Sequence, residues 1–240
     1  MPPKKTQAIV LKRREIGEFD RLVTFYSKEL GKIIGKVTGA RRIKSKLTPH
    51  LEPFFNIDIM VAPGRTFYRV ASARIINSFA KIREDGNLIA AASYLVKLVD
   101  ELVKEEQRDI YIFNLLKKSL DYLDQRKMNP ALLIDVFAWK LVAHLGYRPE
   151  LDHCLVCKEV IDRKPAYFSL IKGGLVCANC NLNQPQILAV TPEMLGLLQK
   201  LLESKFESLV KMKIKTTTLK RGLRIIEQFV IYQMEKKLEI

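Results

Sequence analysis

The four cysteines constrain the fold of this chain more than any other feature, because they form two C-x-x-C pairs. Cys154 and Cys157 make the first pair, Cys177 and Cys180 make the second, and 19 residues separate the two pairs. Each pair puts two thiolates on one tight turn, and two such turns close a tetrahedral site around one ion. The spacing therefore predicts a zinc ribbon over residues 154–184 that holds one Zn²⁺.

A zinc with four cysteine ligands has no open position for water or substrate, so we expect this metal to be structural. Cysteines used in this way also indicate a reducing compartment. Residues 1–7 lack the apolar run of a secretory signal, and no stretch of about 18 apolar residues is present. We therefore expect a cytoplasmic protein.

The distribution of apolar residues predicts an α+β fold. Short β-prone runs separated by glycine and proline fill the first 80 residues, at 7–11, 21–27, 32–38, 54–60, 67–71 and 75–79. They suit a small OB-fold, an SH3-like barrel or a sandwich, and periodicity alone does not decide between these. Helical spacing follows at about 88–104, 109–126, 130–145, 191–203 and 218–237. The predicted domains are a barrel (1–81), a helical domain (82–153 and 185–240) and the inserted zinc ribbon (154–184).

Positive charge is concentrated at the N-terminus. The chain carries a net charge of +15, of which residues 1–82 hold +11, residues 83–153 hold −2 and residues 154–240 hold +6. This asymmetry indicates a polyanionic partner for the barrel. Phe55, Phe67 and Tyr68 are candidates to stack on bases. The predicted phosphate contacts are Lys32, Lys36, Arg41, Arg42, Lys44, Lys46, Arg65, Arg69 and Arg74.

Catalytic interpretations have little support. His50 and Glu52 form the H-x-E of the zinc deaminases, but no proline precedes either cysteine pair, as that signature requires. Glu15, Glu18 and Asp20 form a carboxylate cluster that a metal-dependent nuclease could use, but the arginines and lysines beside them favour salt bridges. No glycine-rich phosphate-binding motif occurs. We expect a protein that is not an enzyme.

Several segments carry a resemblance to a known family. They are residues 8–12, 17–24, 39–47 and 51–54 of the barrel, the Gly146-Tyr147-Arg148-Pro149 run, the Gly173-Gly174 turn and both cysteine pairs. Together they resemble the bacterial recombination mediator family RecO over nearly the whole chain. The sequence departs at Glu52, where the family often has glutamine, and it keeps all four cysteines, which some members lack.

The resemblance implies an N-terminal OB-fold, a helical domain and a zinc-bearing insertion. Such proteins bind single- and double-stranded DNA and anneal complementary strands. With RecR they help to load RecA onto DNA coated by the single-stranded-DNA-binding protein SSB, in recombinational repair. The basic loop at 39–46 and the strand with Lys32 and Lys36 would then contact DNA.

The family's helical domain also binds the acidic tail of SSB, which ends in phenylalanine, in an apolar pocket rimmed by basic residues. No motif fixes this pocket; the candidates are Trp139, Lys140, Lys220, Arg221 and Arg224. A zinc-ribbon adaptor of transcription or translation that binds RNA is the alternative function. Strand annealing of DNA would distinguish the two.

Overall fold

In the computed structural model, which describes residues 2–162, 164–181 and 185–238, the chain forms two compact units, Met1–Lys127 and Met128–Ile240. The first unit begins with five strands, β1 (Lys4–Ile16), β2 (Asp20–Ser27), β3 (Gly31–Val37), β4 (Asn56–Ala62) and β5 (Tyr68–Asn77). They form a closed barrel in the order β1-β2-β3-β5-β4, in which β4 pairs with β1 and only β3 and β5 run parallel. This is the arrangement of an OB-fold, so the predicted N-terminal OB barrel is confirmed.

β5 is one strand where the sequence predicts two. Residues 72–74 contain no β-branched or aromatic side chain, so residues 67–71 and 75–79 are predicted separately. In the structure these residues pair continuously with β4, with Ala73 opposite Ile59 and Ser72 opposite Met60. The ladder to β4 therefore supplies the order that local propensity does not.

Two helices, α1 (Gly86–Leu102) and α2 (Ile110–Asp124), complete the first unit. Each begins after an aspartate, Asp85 or Asp109, whose carboxylate accepts a backbone N–H of the first turn at 2.9 or 2.8 Å. The Tyr26 hydroxyl of β2 donates to the Asp109 carbonyl at 3.2 Å. Both helices thus belong to the same compact unit as the barrel. The predicted domain boundaries at 81/82, 153/154 and 184/185 were placed where strands give way to helices or to the cysteine segment, and they stay predictions.

The second unit is helical and carries a small sheet. Its helices are α3 (Pro130–Val142), α4 (Pro192–Glu203), α5 (Phe206–Leu209) and α6 (Thr216–Leu238). Its strands β6 (Ala166–Ser169), β7 (Gly174–Cys177) and β8 (Ile187–Val190) form an antiparallel sheet with β6 in the middle. The sequence did not predict β8, which ends just before Thr191, the cap of α4. None of the helices among the described residues combines the length and the apolar composition that a membrane span requires.

Trp139 of α3 lies where the sheet meets the helices. Its ring packs edge-on against Phe168 of β6, with centroids 6.1 Å apart, and stacks with Phe229 of α6 at 6.4 Å. All three side chains are fully buried. Aromatic pairs are stabilised both by the apolar surface that they bury and by the relative orientation of their rings. These contacts therefore fix the small sheet on the helical core.

Candidate metal centre and nucleic-acid interface

The four cysteines come together at one end of the small sheet. Cys154 and Cys157 lie on a tight turn, Cys177 ends β7, and Cys180 closes the short helical turn that follows. Their sulfur atoms all lie within 4.8 Å of one another, and Cys157 Sγ is 3.8 Å from Cys177 Sγ. Four sulfurs placed tetrahedrally about 2.3 Å from a zinc would be about 3.8 Å apart. The donor set and its spacing therefore fit a tetrahedral metal ion.

The protonation of the thiols points the same way. Burial raises the pKa of Cys154, but hydrogen bonds from the backbone N–H groups of Cys177, Cys157 and Val156 lower it. The hydrogen bonds together outweigh burial, and the pKa falls to about 6. The Cys177 thiol raises the pKa of Cys180 to about 12. Neighbouring thiolates repel one another, so four of them ionise together only when a cation balances their charge.

Residues on both sides of Cys154 tie its turn to the sheet. Leu155 N donates to Leu175 O at 2.8 Å, and Leu175 N donates to Glu150 O at 3.0 Å. At Gly174 a Cβ atom would lie 2.6 Å from the Glu150 carbonyl oxygen, so this close approach requires glycine. His153 Nδ1 lies 3.6 Å from Glu150 Oε1. His153 thus has a carboxylate neighbour, and the cysteine cluster is complete without it.

The loop between β3 and β4 carries the densest positive charge of the barrel. We call residues 39–46 the basic loop. Its base is anchored, since Ala40 is buried in the barrel core and Arg41 N donates to Phe19 O at 2.9 Å. Gly39 N donates to Asp20 Oδ1, also at 2.9 Å. The basic loop is therefore held against the turn that joins β1 to β2.

Cations and carboxylates form a network where these two segments meet. Lys36 Nζ lies 2.9 Å from Asp20, and Arg41 Nε lies 3.3 Å from Glu15. The hydrogen bond from Gly39 N and the one from Lys36 lower the pKa of Asp20. These ion pairs favour the interpretation that the carboxylates form salt bridges over the interpretation that they form a nuclease centre. Among the described residues, the cysteines form the one His/Cys/Asp/Glu group placed to hold a metal.

The other predicted phosphate contacts are distributed over the barrel. Lys44 and Lys46 are exposed in the basic loop, and Arg65 is exposed in the turn from β4 to β5. Arg69 lies beside Lys36 across the β3–β5 pairing, and Arg74 lies 3.3 Å from Asp58. The structure thus brings Lys36 and Arg69 together with the basic loop on one part of the barrel.

Lys32 is placed differently. Its side chain is buried, and Nζ donates to the Asp100 carbonyl of α1 at 2.6 Å. Burial lowers its pKa, although the nearby carboxylates of Asp100 and Glu105 oppose this. In this arrangement the ammonium holds α1 on the barrel, and the role of Lys32 as a phosphate contact stays a prediction.

The predicted stacking aromatics are largely engaged, and a different aromatic is accessible. Phe55 is buried, with the Arg83 guanidinium 4.5 Å from its ring centre, and the Tyr68 hydroxyl donates to Glu106 at 3.1 Å. Phe19, which sequence analysis did not select, is 42% exposed and lies under the Arg42 guanidinium at 5.2 Å. Its place in a glycine-containing hairpin turn between charged residues was the available signal.

The residues predicted to bind the SSB tail differ in their exposure, and their role stays a prediction. Trp139 is fully buried, and Lys140 Nζ donates to the Ser204 carbonyl at 2.7 Å. Lys220, Arg221 and Arg224 are exposed on α6. A separate groove of about 470 Å³ lies elsewhere in the second unit, with apolar walls and two lysines, and is lined by Asn129, Leu132, Met212, Lys213, Ile214, Lys215 and Leu219.

Comparison with known proteins agrees with this architecture. Residues 1–79 match the family model described as "Recombination protein O N terminal", and residues 83–239 match "Recombination protein O C terminal". A DNA repair protein RecO of a Thermoanaerobacter species is 32% identical over 92% of this chain and 93% of its own length. A second, from Caldanaerobacter subterraneus, is 29% identical over 96% and 93%. A third, from Dehalococcoides mccartyi, is 30% identical over 97% and 91%. Matches of this extent show that the chain belongs to the RecO family.

Proposed function

We propose that this chain is a recombination mediator of DNA repair, which acts in the cytoplasm without catalytic residues. It binds single- and double-stranded DNA, anneals complementary strands and, with RecR, helps to load RecA onto SSB-coated DNA. The family supports the role in repair, and the partnership with RecR rests on the same resemblance. The observation that carries the DNA-binding part is the basic loop, which the barrel anchors at its base and exposes at its tip.

Annealing follows from electrostatics. Two DNA backbones repel each other, so a protein that neutralises phosphates and leaves base edges free lowers the barrier to pairing. No carboxylate in the described part of the chain pairs with Lys44 or Lys46, so both are available to phosphates. Arg41 and Lys36 have carboxylate neighbours, which keep them in place and which a phosphate could displace.

We propose that the cysteine site holds Zn²⁺. Four sulfur donors in tetrahedral reach suit this ion, and all four positions are filled by protein. When bound, the ion neutralises the thiolates and joins the Cys154 turn to the end of β7. The four-residue strands of this sheet have little core of their own, so the metal supplies much of their stability.

An annealing assay with salt titration tests the DNA-binding proposal. Replacing Arg41, Arg42, Lys44 and Lys46 with alanine should slow annealing and reduce the salt slope of single-strand binding by about 3, as expected for four lost phosphate contacts. The matched control removes four exposed lysines elsewhere in the same unit, Lys28, Lys81, Lys97 and Lys104.

Equal losses in the loop variant and the control would show that net charge alone matters, and the assignment of the loop would be wrong. An RNA arm separates the alternative function. A protein that binds RNA more tightly than DNA and does not accelerate DNA pairing would be the RNA-binding adaptor and not a recombination mediator.

For the SSB tail, the groove beside Lys213 and Lys215 meets the chemical requirement better than the predicted residues. It offers apolar walls for a phenylalanine ring and two ammonium groups for carboxylates. We expect Lys213→Glu with Lys215→Glu to abolish binding of a labelled acidic peptide that ends in phenylalanine. Lys220→Glu with Arg224→Glu is the matched control of equal charge. If only the control pair weakened the peptide, the site would be the α6 cluster instead.

A further inference from the structure

The tip of the basic loop is apolar. Ile43 is 105% exposed, the highest value among the large hydrophobic side chains of the described residues. Its immediate neighbours are Arg42 and Lys44, so a single aliphatic side chain projects from the middle of a cationic cluster. A turn tip that only meets water is normally glycine, asparagine, aspartate or serine. The chain instead has a β-branched apolar residue there.

The backbone fixes this side chain in its exposed position. Ser45 N donates to Arg42 O at 2.9 Å and closes a tight turn in which Ile43 and Lys44 are the central residues. Arg42 N donates to Gly39 O at 3.1 Å and closes the preceding turn. The Thr48 hydroxyl lies 2.9 Å from Ser45 Oγ and so adds a hydrogen bond at the C-terminal end of the loop. Ile43 therefore lies at the tip of a hydrogen-bonded turn.

A second apolar surface lies beside this turn. Phe19 of the β1–β2 turn is partly exposed, and the Arg42 guanidinium stacks over its ring. The backbone bond from Arg41 N to Phe19 O holds the two turns together. An exposed ring under a guanidinium is a surface on which an unstacked base can lie.

We propose that Ile43 is a wedge that enters the base stack of DNA bound along the basic loop. This inference rests on the proposed DNA-binding function and adds to it the group that separates adjacent bases. The cations around the tip indicate that the ligand is DNA, because they attract phosphates on both sides of Ile43. The aliphatic side chain itself fits between the faces of two bases. DNA-bending proteins use isoleucine, leucine and phenylalanine in the same way. A wedge opens the stack, which exposes base edges for pairing with a second strand.

Fluorescence of 2-aminopurine placed within a duplex and within a single strand tests the wedge. The wild-type protein should increase the emission, because the probe brightens when it leaves the stack. Ile43→Ser should abolish the increase and weaken binding about three- to tenfold, as expected for lost apolar contact. Ile43→Phe should keep the increase. The salt slope should stay unchanged in both, because the phosphate contacts remain.

Ile76→Ser is the matched control, since Ile76 is 46% exposed on β5 and takes no part in the loop. It should leave emission and affinity unchanged. If Ile43→Ser kept the wild-type emission increase while the four-alanine loop variant lost binding, the wedge would be wrong and the DNA-binding surface would stand. If the wild type bound no DNA, both would fail. If Ile43→Ser changed only binding to anionic phosphatidylglycerol vesicles, the tip would be a membrane contact and the wedge would again be overturned.

Discussion

At the scale of single residues, Asp135 has the least favourable surroundings for a charge. It lies on α3 in the second unit, is fully buried, and neither carboxylate oxygen has a hydrogen-bond partner among the described residues. Gly222 of α6 faces it, and a Cβ atom there would lie 3.2 Å from Oδ2. Burial, and then the carboxylate of Glu227, raises the pKa of Asp135 to about 8. Asp135 is therefore protonated in the folded chain at neutral pH.

This protonation gives the second unit a characteristic pH dependence. The unfolded chain loses the proton near pH 3.8, and the folded chain loses it near pH 8. Between these values folding takes up a proton, so stability falls as pH rises, by up to about 1.4 kcal/mol per pH unit, and levels off above pH 8. We expect Asp135→Asn to remove this slope, because the amide does not ionise.

The single tryptophan provides the measurement. Trp139 lies in the same unit as Asp135, so urea unfolding followed by its fluorescence at pH 5.5 to 8 reports on that unit. Glu203→Gln, which neutralises an exposed carboxylate of the same unit, should keep the wild-type slope. A slope that persisted in Asp135→Asn would assign the proton to another group.

At the scale of elements, the small sheet and its cysteines form one cooperative piece. Because Phe168 of β6 packs on Trp139, loss of the metal should disturb the tryptophan environment. We expect about one zinc per chain by elemental analysis. Chelation or Cys154→Ser should lower the unfolding free energy of the second unit by several kcal/mol and shift the Trp139 emission to longer wavelength.

Lys158 offers a control within the same turn. It follows Cys157 with a φ of 64°, a left-handed conformation that glycine adopts without strain. Lys158→Gly should therefore keep the metal and the wild-type stability. A Cys154→Ser protein that stayed as stable as Lys158→Gly would exclude a structural role for the ion.

The elements also show what a sequence can and cannot reveal. The cysteine cluster was predictable, because two turns of fixed local geometry determine where four sulfurs lie. The barrel was predictable as a class, but β5 required its ladder to β4, and β8 required β6 as a partner. Lys32 looked like any other lysine of the basic segment, since only tertiary packing buries it under α1. The sequence shows that Ile43 lies within the basic loop. It does not show that the side chain is fully exposed, because that exposure depends on the hydrogen-bonded turns of the loop.

At the scale of the whole molecule, the two proposed binding functions belong to different compact units. The basic loop lies in Met1–Lys127, and the groove with Lys213 and Lys215 lies in Met128–Ile240. Sites in separate cores that share no partner residue contribute independent free energies.

Independence predicts a specific pattern of loss in the full-length chain. The four-alanine loop variant should slow annealing of naked and SSB-coated strands alike, because both require phosphate contacts. Lys213→Glu with Lys215→Glu should slow annealing of SSB-coated strands and leave naked strands within about twofold of wild type, since only coated DNA presents the tail. Stopped-flow annealing of labelled strands with and without SSB measures both. If the groove variant slowed naked strands as much as coated ones, the two lysines would contact DNA, and the second unit would be part of the nucleic-acid surface.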